Sequence, residues 1–252
     1  MKKFSWLPPT IFVAILVVAW HIAAARQAVP IIPGPWAVLQ GIGELARKGL
    51  LVKYVVASVF RVTWGYLLAV ATAIPFGLFL GWRRRAEMAL NPALQVLRPI
   101  SPLAWIPIAI LWFGVGDLAA IFLIFLASFL PLTMSAMNAV RNIPAIYLQA
   151  GSNFGLSERQ LMWKVLYPAV LPQLLVGLRL ALGIAWMVVV AAEMIAVNSG
   201  LGFLIIDSRN AGNRYDLVVA GMVLIGAIGL LLDTGMRSLE RLRSLRWGYG
   251  TD

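Results

Sequence analysis

Long apolar segments separated by short polar stretches dominate the pattern of hydrophobic and polar positions along the chain. A helix that crosses a bilayer needs roughly 20 mostly apolar residues. Segments of about this length are predicted as spans at 8–25, 58–82, 90–113, 117–140, 168–197 and 215–236. The pattern therefore predicts an all-α integral membrane protein with about six transmembrane helices, organised as a single domain over residues 1–252.

Between the first two spans, the pattern is shorter and more polar. An extended stretch at 29–35 contains three prolines, and the apolar positions at 36–48 and 50–56 predict two helices that lie at the membrane interface. Within the second span, Gly77 and Gly81 form a small-x-x-x-small pattern. Such a pattern allows two membrane helices to approach closely, so we expect it to serve bundle packing.

A polar loop at 142–167 separates the fourth and fifth spans. Asn142 is predicted to cap its first helix, and Pro144 falls in the first turn, where a missing N–H is tolerated. The apolar residues of this first half recur at helical spacing and predict one stripe: Ile143, Ile146, Tyr147, Ala150 and Phe154. A partner that docks on this stripe is one interpretation, and a helix pair resting on lipid is the other.

The second half of the loop begins with a turn. Gly155 suits a left-handed backbone position, and Ser157 with Gln160 has the spacing of a capping box that starts a second helix. The apolar residues of that helix again fall on one side: Leu161, Met162, Val165 and Leu166. Pro168 and Pro172 are predicted to end this helix and to redirect the chain into the fifth span.

Composition supports the membrane assignment. Of the 252 residues, 61% are hydrophobic and only 12% are charged, more apolar surface than a soluble domain of this length can bury. The absence of cysteine excludes disulfides, thiolate metal sites and cysteine nucleophiles. The net charge of +11 comes from basic residues scattered at the ends of apolar segments, which indicates membrane orientation rather than nucleic-acid binding.

The positions of lysine and arginine predict the orientation. If the N-terminus is cytoplasmic, twelve basic residues fall in cytoplasmic segments: Lys2, Lys3, Arg83, Arg84, Arg85, Arg141, Arg159, Lys164, Arg237, Arg241, Arg243 and Arg246. Six fall in outer segments: Arg26, Arg47, Lys48, Lys53, Arg209 and Arg214. This excess predicts that both termini and the 142–167 loop are cytoplasmic. The first apolar segment also resembles a signal peptide, but an uncleaved first span is expected.

The loop also carries a recognisable spacing: Gln149-Ala150-Gly151, then Gly155, then Leu171-Pro172. It resembles the cytoplasmic EAA loop (Glu-Ala-Ala…Gly…Leu-Pro) of permease subunits of binding-protein-dependent ABC importers. Further segments resemble the nitrate, sulfonate and taurine type of these permeases, namely 98–107, 112–116, 177–183, 192–196, 198–202 and 214–216. The resemblance implies a type I ABC importer (MetI-like) permease architecture in a bacterial inner membrane.

The resemblance also implies a function for the loop. It would be the coupling helix that docks on a separate ABC ATPase subunit, through Gln149, Ala150, Gly151, Gly155, Leu156, Ser157 and Pro172. Two ATPases, a second permease copy in a homodimer, and an external substrate-binding protein are the implied partners. ATP and Mg²⁺ would bind the ATPase, because this chain contains no Gly-x-x-x-x-Gly-Lys-Ser/Thr phosphate loop and needs no cofactor of its own.

The chain departs from the family pattern at two positions of the loop. Gln149 stands where the family has Glu, and Gly151 stands where it has Ala. Gln keeps the length and the hydrogen-bonding capacity of Glu but lacks its charge. Docking by shape is therefore expected, whereas a salt bridge from position 149 is not.

Charged and aromatic residues inside the spans are candidates for the translocation path. Arg179 could attract an anionic substrate, or could pair with loop carbonyls or a facing helix, and Glu193 could gate the path or lie at the outer interface. Trp105 and Trp186 lie mid-span, where a packed tryptophan with its N–H satisfied is commoner than a substrate contact.

A proton-coupled secondary transporter is the alternative function, with Glu193, or secondarily Asp233, as the proton carrier. It would leave the 142–167 loop without a role. An intramembrane enzyme fits worst, because the spans contain no His–acid cluster, Ser–His pair or metal-ligand set. Near the sixth span, Asp207, Arg209, Arg214 and Asp216 are predicted either to dock a binding protein or to form local ion pairs.

Overall fold

The computed structural model describes residues 7–26 and 32–240, and this part of the chain contains helices and no β-strand. The basic residues Lys2, Lys3, Arg241, Arg243 and Arg246, and residues 29–31 of the predicted extended stretch, lie outside it. Its helices are α1 (Leu7–Ala25), α2 (Pro35–Arg47), α3 (Leu50–Trp82), α4 (Arg84–Leu97), α5 (Ile106–Phe113), α6 (Asp117–Arg141), α7 (Ala145–Asn153), α8 (Glu158–Leu161), α9 (Tyr167–Ile195), α10 (Leu201–Asn210) and α11 (Tyr215–Glu240).

Four helical segments of the described chain are long and apolar enough to cross a membrane: α3, α6, the continuous segment Glu158–Ile195 and α11. The spans predicted at 117–140, 168–197 and 215–236 correspond closely to α6, α9 and α11. The predicted first span corresponds to α1, whose described apolar part, Thr10–Ala25, is shorter than the usual spanning length. A bent helix pair, described below, brings the number of spans to five if it is counted as one.

Helix α3 begins earlier than the predicted second span. The prediction of a separate interfacial helix at 50–56 is wrong, because these residues continue directly into the span. At 1.5 Å per residue, α3 is about 50 Å long, whereas the hydrocarbon core of a bilayer is roughly 30 Å thick. Packing stabilises the added turns: the ring of Tyr54 is buried and lies 6.3 Å from that of Phe203 in α10.

The predicted span at 90–113 is not one helix. Helix α4 ends at Leu97, a 3-10 turn covers Pro102–Trp105, and α5 follows, with an angle of 85° between the two halves. Proline explains the break, because a residue that precedes proline is disfavoured in the helical region. Ser101, directly before Pro102, is accordingly extended, with φ −59° and ψ 132°.

Helices α3, α6 and α9 form the centre of the bundle. Gly77 and Gly81 lie against α6, as the small-residue pattern predicts: a Cβ on Gly81 would lie 2.8 Å from the carbonyl oxygen of Met137, and one on Gly77 would overlap the carbonyl of Thr133. Only glycine allows the two backbones to approach this closely.

Two hydrophobic clusters identify the ends of this bundle. One contains Leu78 of α3, Val140 of α6 and Leu174 of α9, and we call this the loop end because the 142–166 loop emerges beside it. The other contains Val62 of α3, Val189 of α9 and Leu204 of α10, and we call it the α10 end. The loop and α10 therefore lie at opposite ends of the central helices.

Candidate functional sites

The loop at 142–166 forms two short helices at the loop end of the bundle. The first, α7, begins later than predicted: Asn142 ends α6, its N–H donating to the carbonyl of Asn138 (3.0 Å), and Pro144 occupies the N-cap position of α7. The predicted cap at Asn142 is therefore wrong. The apolar pattern of α6 reaches Val140 and the helix ends at Arg141. Asn142 therefore forms the C-cap of α6 and does not begin α7.

The turn between the two helices has the predicted geometry. Gly155 has φ +73°, in the left-handed region that favours glycine, and the N–H of Leu156 donates to the carbonyl of Gly151 (3.1 Å). The hydroxyl of Ser157 accepts from the N–H of Gln160 (3.4 Å), while the side chain of Gln160 accepts from the N–H of Ser157 (3.0 Å). The capping box is confirmed. Hydrogen bonds from the backbone N–H groups of Leu156, Ser157 and Gln160 stabilise the turn.

Gly151 is buried inside the loop, against the side chains of Leu156, Leu161 and Val165. A Cβ at this position would lie 3.3 to 3.4 Å from these three side chains. An alanine, as in the family pattern, would thus fit after a shift of a few tenths of an ångström. The departure at position 151 leaves the shape of the loop essentially unchanged.

Three residues of the predicted apolar stripe face away from the rest of the chain, whereas Ile143 packs against the cluster at the loop end. The exposed fractions are 67% for Ile146, 51% for Tyr147 and 86% for Phe154. Beside the stripe runs a groove of about 340 Å³, lined by Ala150, Gly151, Lys164 and Pro168 among others. These exposed apolar side chains form a surface that suits either a partner or lipid, the two interpretations that the sequence left open.

Contacts that the sequence did not reveal anchor the loop. Glu158, at the start of α8, accepts from the indole N–H of Trp82 (3.0 Å) and pairs with Arg83 (2.9 Å) at the end of α3. The ring of Trp163 stacks on that of Tyr167 with centroids 4.6 Å apart. Gln149, by contrast, is exposed and makes no side-chain hydrogen bond to the described residues.

The loop joins the fifth span without the predicted break. A π turn, Met162–Leu166, connects α8 to α9, and the segment Glu158–Ile195 is helical throughout. The prediction that Pro168 and Pro172 end the second helix is therefore wrong. Pro168 falls in the first turn of α9, and the wider π turn before it accommodates a ring that a regular helix interior would not. Pro172 is buried within α9.

A buried ion cluster lies at the α10 end. The carboxylate of Glu193 accepts hydrogen bonds from the Ser58 hydroxyl (2.8 Å), the Arg61 guanidinium (2.7 Å) and the backbone N–H of Gly202 (2.9 Å). The side chain of Glu193 is fully buried and that of Arg61 is 3% exposed. Partners from α3 and α10 therefore enclose this carboxylate within the bundle.

Arg61 extends the cluster to further segments. Its Nε donates to Asp117 at the start of α6 (2.8 Å), and its Nη1 donates to the carbonyl of Ser199 (2.7 Å). The Ser58 hydroxyl also accepts from the N–H of Leu201 (2.9 Å). One arginine and one glutamate thereby connect α3, α6, α9 and the start of α10.

The glycines in the 198–202 segment allow this arrangement. Gly200 has φ +106°, and a Cβ on it would overlap the carboxylate of Glu193. A Cβ on Gly202 would lie 2.8 Å from Cβ of Glu193 and would overlap the carbonyl of Val190. Glycine is therefore required at positions 200 and 202, where this segment packs against Glu193.

The remaining predicted path residues make contacts within the chain. Arg179 pairs with Asp233 of α11 (Nε to Oδ1, 2.6 Å), which agrees with the interpretation of pairing to a facing helix. Trp186 is buried and its indole N–H donates to the carbonyl of Ile225 (3.1 Å). Trp105 is half-buried against the cluster at the α10 end. That cluster also contains Trp186, whereas Arg179 is not part of it.

A surface network at the α10 end involves α2 and the turn before α11. Arg214 pairs with Glu44 (2.6 Å) and with Asp216 (2.8 Å), so the local ion pairs predicted for this region include a partner, Glu44, that the sequence did not suggest. Hydrogen bonds from Arg214 and Lys48 lower the pKa of Glu44 to about 2. The two carboxylates raise the pKa of Arg214 above its usual range.

Known transport proteins are similar to this chain over most of its length. Residues 73–244 match the family model described as "Binding-protein-dependent transport system inner membrane component". The taurine transport system permease protein TauC of Escherichia coli (strain K12) is 35% identical over 235 residues, covering 90% of this chain and 84% of that protein. The nitrate import permease protein NrtB of Synechocystis sp. is 32% identical over 244 residues, covering 93% and 88%.

A solved structure shares the fold. It is an inward-facing conformation of the MetNI methionine ABC transporter, with a TM-score of 0.68 and 19% identity, covering 76% of this chain and 95% of that one. The family model matches more than half of the chain, and the named relatives exceed 30% identity over most of its length. The protein therefore belongs to the binding-protein-dependent transport system inner membrane component family and is a permease subunit of an ABC importer, a transport subunit rather than an enzyme.

Proposed function

We propose that this permease forms the membrane path of an ATP-driven importer for a small anion such as a sulfonate, taurine or nitrate. The substrate class is supported by the relatives, one named for taurine and one for nitrate, each similar over about nine tenths of this chain. An external substrate-binding protein would deliver the anion, and a separate ABC ATPase would bind ATP and Mg²⁺.

The observation that carries the proposal is the exposed apolar stripe on a fixed loop. Ile146, Tyr147 and Phe154 stand clear of the chain, while the capping box and the buried Leu161 and Leu166 hold the loop against the bundle. A rigid surface that loses little conformational freedom on binding suits the transmission of a push from a partner. The docking contact would include Gln149, Ala150, Gly151, Gly155, Leu156 and Ser157, with Pro172 behind them.

The uncharged side chain of Gln149 fits this mode of docking. It is exposed beside the stripe and makes no side-chain hydrogen bond to the described residues, so it is available to a partner as a neutral donor and acceptor. The contact with the ATPase would then rest on the apolar stripe and its groove, with no salt bridge from position 149.

The orientation follows from the distribution of basic residues. The loop end would face the cytoplasm together with both termini, and the α10 end would face the outside of a bacterial inner membrane. The multi-pass chain would meet the binding protein near Arg214 and Asp216. Two copies of the chain would form a homodimer, with each loop seated on one of two ATPases.

The buried cluster has a supporting role in this proposal. The carboxylate of Glu193 accepts three hydrogen bonds from within the chain, one of them from Arg61, and its side chain has no exposed surface. A proton carrier needs access to water on each side in turn, so this geometry favours a structural link over proton coupling. Arg179 and Trp186 have comparable contacts within the chain.

Placing a charge on the stripe tests the docking. Phe154→Asp puts a carboxylate where the side chain is now 86% exposed, so the permease itself should fold as before. Ser152→Asp is the matched control: it adds the same charge two residues away, on the opposite side of α7. We expect Phe154→Asp to abolish co-purification with the ATPase subunit of the transporter and to stop uptake, while Ser152→Asp retains both.

The amount of monodisperse permease recovered in detergent separates misfolding from loss of docking. If Phe154→Asp is recovered as a folded protein and still co-purifies with the ATPase at wild-type stoichiometry, the loop is not the docking surface. If the wild-type chain itself carries no ATPase, the proposed function is wrong.

A further inference from the structure

A half-enclosed cavity of about 480 Å³ lies where the bend between α4 and α5 meets α6 and α9. Its polar lining comes from Arg98 at the bend and from Ser135 and Asn138 of α6, and the rest is apolar, including Pro131, Met134 and Ile184. The volume falls within the usual range for small-molecule sites. None of the described residues that line it is acidic.

Arg98 differs from Arg61 and Arg179, the two other arginines at or within the predicted spans. Arg61 pairs with Glu193 and Asp117, and Arg179 pairs with Asp233. The guanidinium of Arg98 has no ion pair or hydrogen bond to any residue in ranges 7–26 and 32–240. A cation near the hydrocarbon region without an internal partner is a candidate for ligand contact.

The two polar residues of α6 add hydrogen-bonding groups to the same cavity. The side chains of Ser135 and Asn138 also have no hydrogen-bond partner in the described part of the chain. The Ser135 hydroxyl packs directly against Gly177 of α9. A Cβ at position 177 would overlap this hydroxyl, so a larger residue there would displace it. A guanidinium, a hydroxyl and an amide around one cavity can together bind the oxygens of a small anion.

From this arrangement we propose that the cavity at the α4–α5 bend is an oxyanion site, with Arg98 as its cation and Ser135 and Asn138 as hydrogen-bond donors. It rests on the proposed function, because its ligand is the transported sulfonate- or nitrate-like anion. The bend between α4 and α5 then has a functional consequence, because it places Arg98 at the cavity beside α6. A lipid phosphate offers the same chemistry, and the test separates the two sources.

The natural absence of cysteine gives a direct test. Met134→Cys places one thiol in the cavity without changing Arg98, Ser135 or Asn138. Its modification rate is measured with two methanethiosulfonates, one bearing a sulfonate and one a trimethylammonium group, on the full chain in phosphatidylcholine nanodiscs. The ratio of the two rates reports attraction of anions and cancels any change in the reactivity of the thiol itself.

We expect Arg98→Gln to lower this ratio about tenfold, the lower end of the effect of a charged cleft on local ion concentration. Arg98→Lys should retain most of the ratio, and Arg85→Gln, which removes an exposed charge outside the cavity, should leave it unchanged. In a second background, Ser152→Cys, the thiol lies outside the cavity, and its ratio should not respond to Arg98→Gln. Taurine or nitrate should slow the modification of the thiol in the cavity, whereas the same concentration of glycerol should not.

An unchanged ratio in Arg98→Gln would overturn the proposal. It would also be overturned if anionic phosphatidylglycerol, but neither taurine nor nitrate, protected the thiol, because the ligand would then be a lipid phosphate. Co-purification of the wild-type chain with its ATPase is measured in parallel. If the chain carries the ATPase and the ratio is unchanged, only the oxyanion site is wrong; if it carries no ATPase, the proposed function fails whatever the ratio.

Discussion

Glu193 shows what one buried carboxylate contributes to this permease. Removing one member of a buried ion pair leaves the other uncompensated, which typically costs about 3–5 kcal/mol. Glu193→Ala leaves Arg61 with Asp117 as its one carboxylate partner among the described residues, so we expect a loss near the lower end of that range, about 3 kcal/mol. The free energy of unfolding in mixed detergent micelles measures it.

Asp117 provides the control for this change. Its side chain is 57% exposed although that of Arg61 is 3% exposed, so water screens the Asp117 side of this pair. Asp117→Asn should therefore cost much less than Glu193→Ala. Equal losses for the two variants would show that Glu193 does not hold the cluster together.

Glu44 gives a pH dependence outside the membrane. Its pKa is lowered to about 2 from an ordinary value of 4.5, because its carboxylate accepts hydrogen bonds from Arg214 and Lys48. A lowered pKa adds stability that is fully present above pH 4.5 and is lost as the pH falls toward 2. We expect the difference in unfolding temperature between wild type and Glu44→Gln to shrink as the pH is lowered from about 6 to about 3.

The comparison with Glu44→Gln isolates the network around Arg214, because the carboxylates away from it titrate equally in both proteins. A difference that stays constant over the same pH range would contradict the assigned pair. The salt dependence should agree: since the pair is exposed, high ionic strength near neutral pH should also reduce the difference.

Local signals could be read from the sequence, and distant partners could not. Gly155 and the Ser157–Gln160 capping box were predictable because each depends on residues within a few positions. The contact between Arg61 and Glu193 joins residues 132 positions apart. Nothing in the local pattern at either residue identifies the other, although two opposite charges in apolar segments suggest a pair.

At the scale of helices, the contact between α3 and α6 depends on Gly77. A methyl group there would overlap the backbone of Thr133, which cannot move as a side chain can. We expect Gly77→Ala to separate the two helices and to cost about 1–3 kcal/mol, the usual range for overpacking. Unfolding in mixed micelles and the yield of monodisperse protein measure the effect.

Gly226 in α11 is the matched control, since a Cβ at this position would have no atom of the described residues within 4 Å. Gly226→Ala should change the free energy of unfolding by only about 0.5 kcal/mol, the usual limit for surface substitutions. If Gly77→Ala were as well tolerated as Gly226→Ala, the close approach of α3 and α6 would be wrong.

Hydropathy predicted where most helices lie but not how they bend. The apolar lengths of α6, α9 and α11 exceed the membrane thickness, so these three could be recognised from composition alone. The break between α4 and α5 and the π turn before α9 both involve proline, which membrane helices tolerate with or without a break. Which outcome occurs depends on the neighbouring helices, and those contacts are not local in the sequence.

At the scale of the whole molecule, the two candidate sites lie at opposite ends of one bundle. Helices α3, α6 and α9 connect the loop that carries Phe154 to the cluster around Glu193. A push on the loop would therefore act on helices that also reach the other face of the membrane. This arrangement suits a subunit that transmits work done by an attached motor.

We propose that this chain moves its substrate only when an ABC ATPase drives it. Uptake of radiolabelled taurine or nitrate into proteoliposomes, with the binding protein present on one side, tests it most directly. We expect uptake that requires the ATPase subunit and ATP and that needs no pH gradient. Uptake by the permease alone, driven by a pH gradient and abolished by Glu193→Gln, would contradict it.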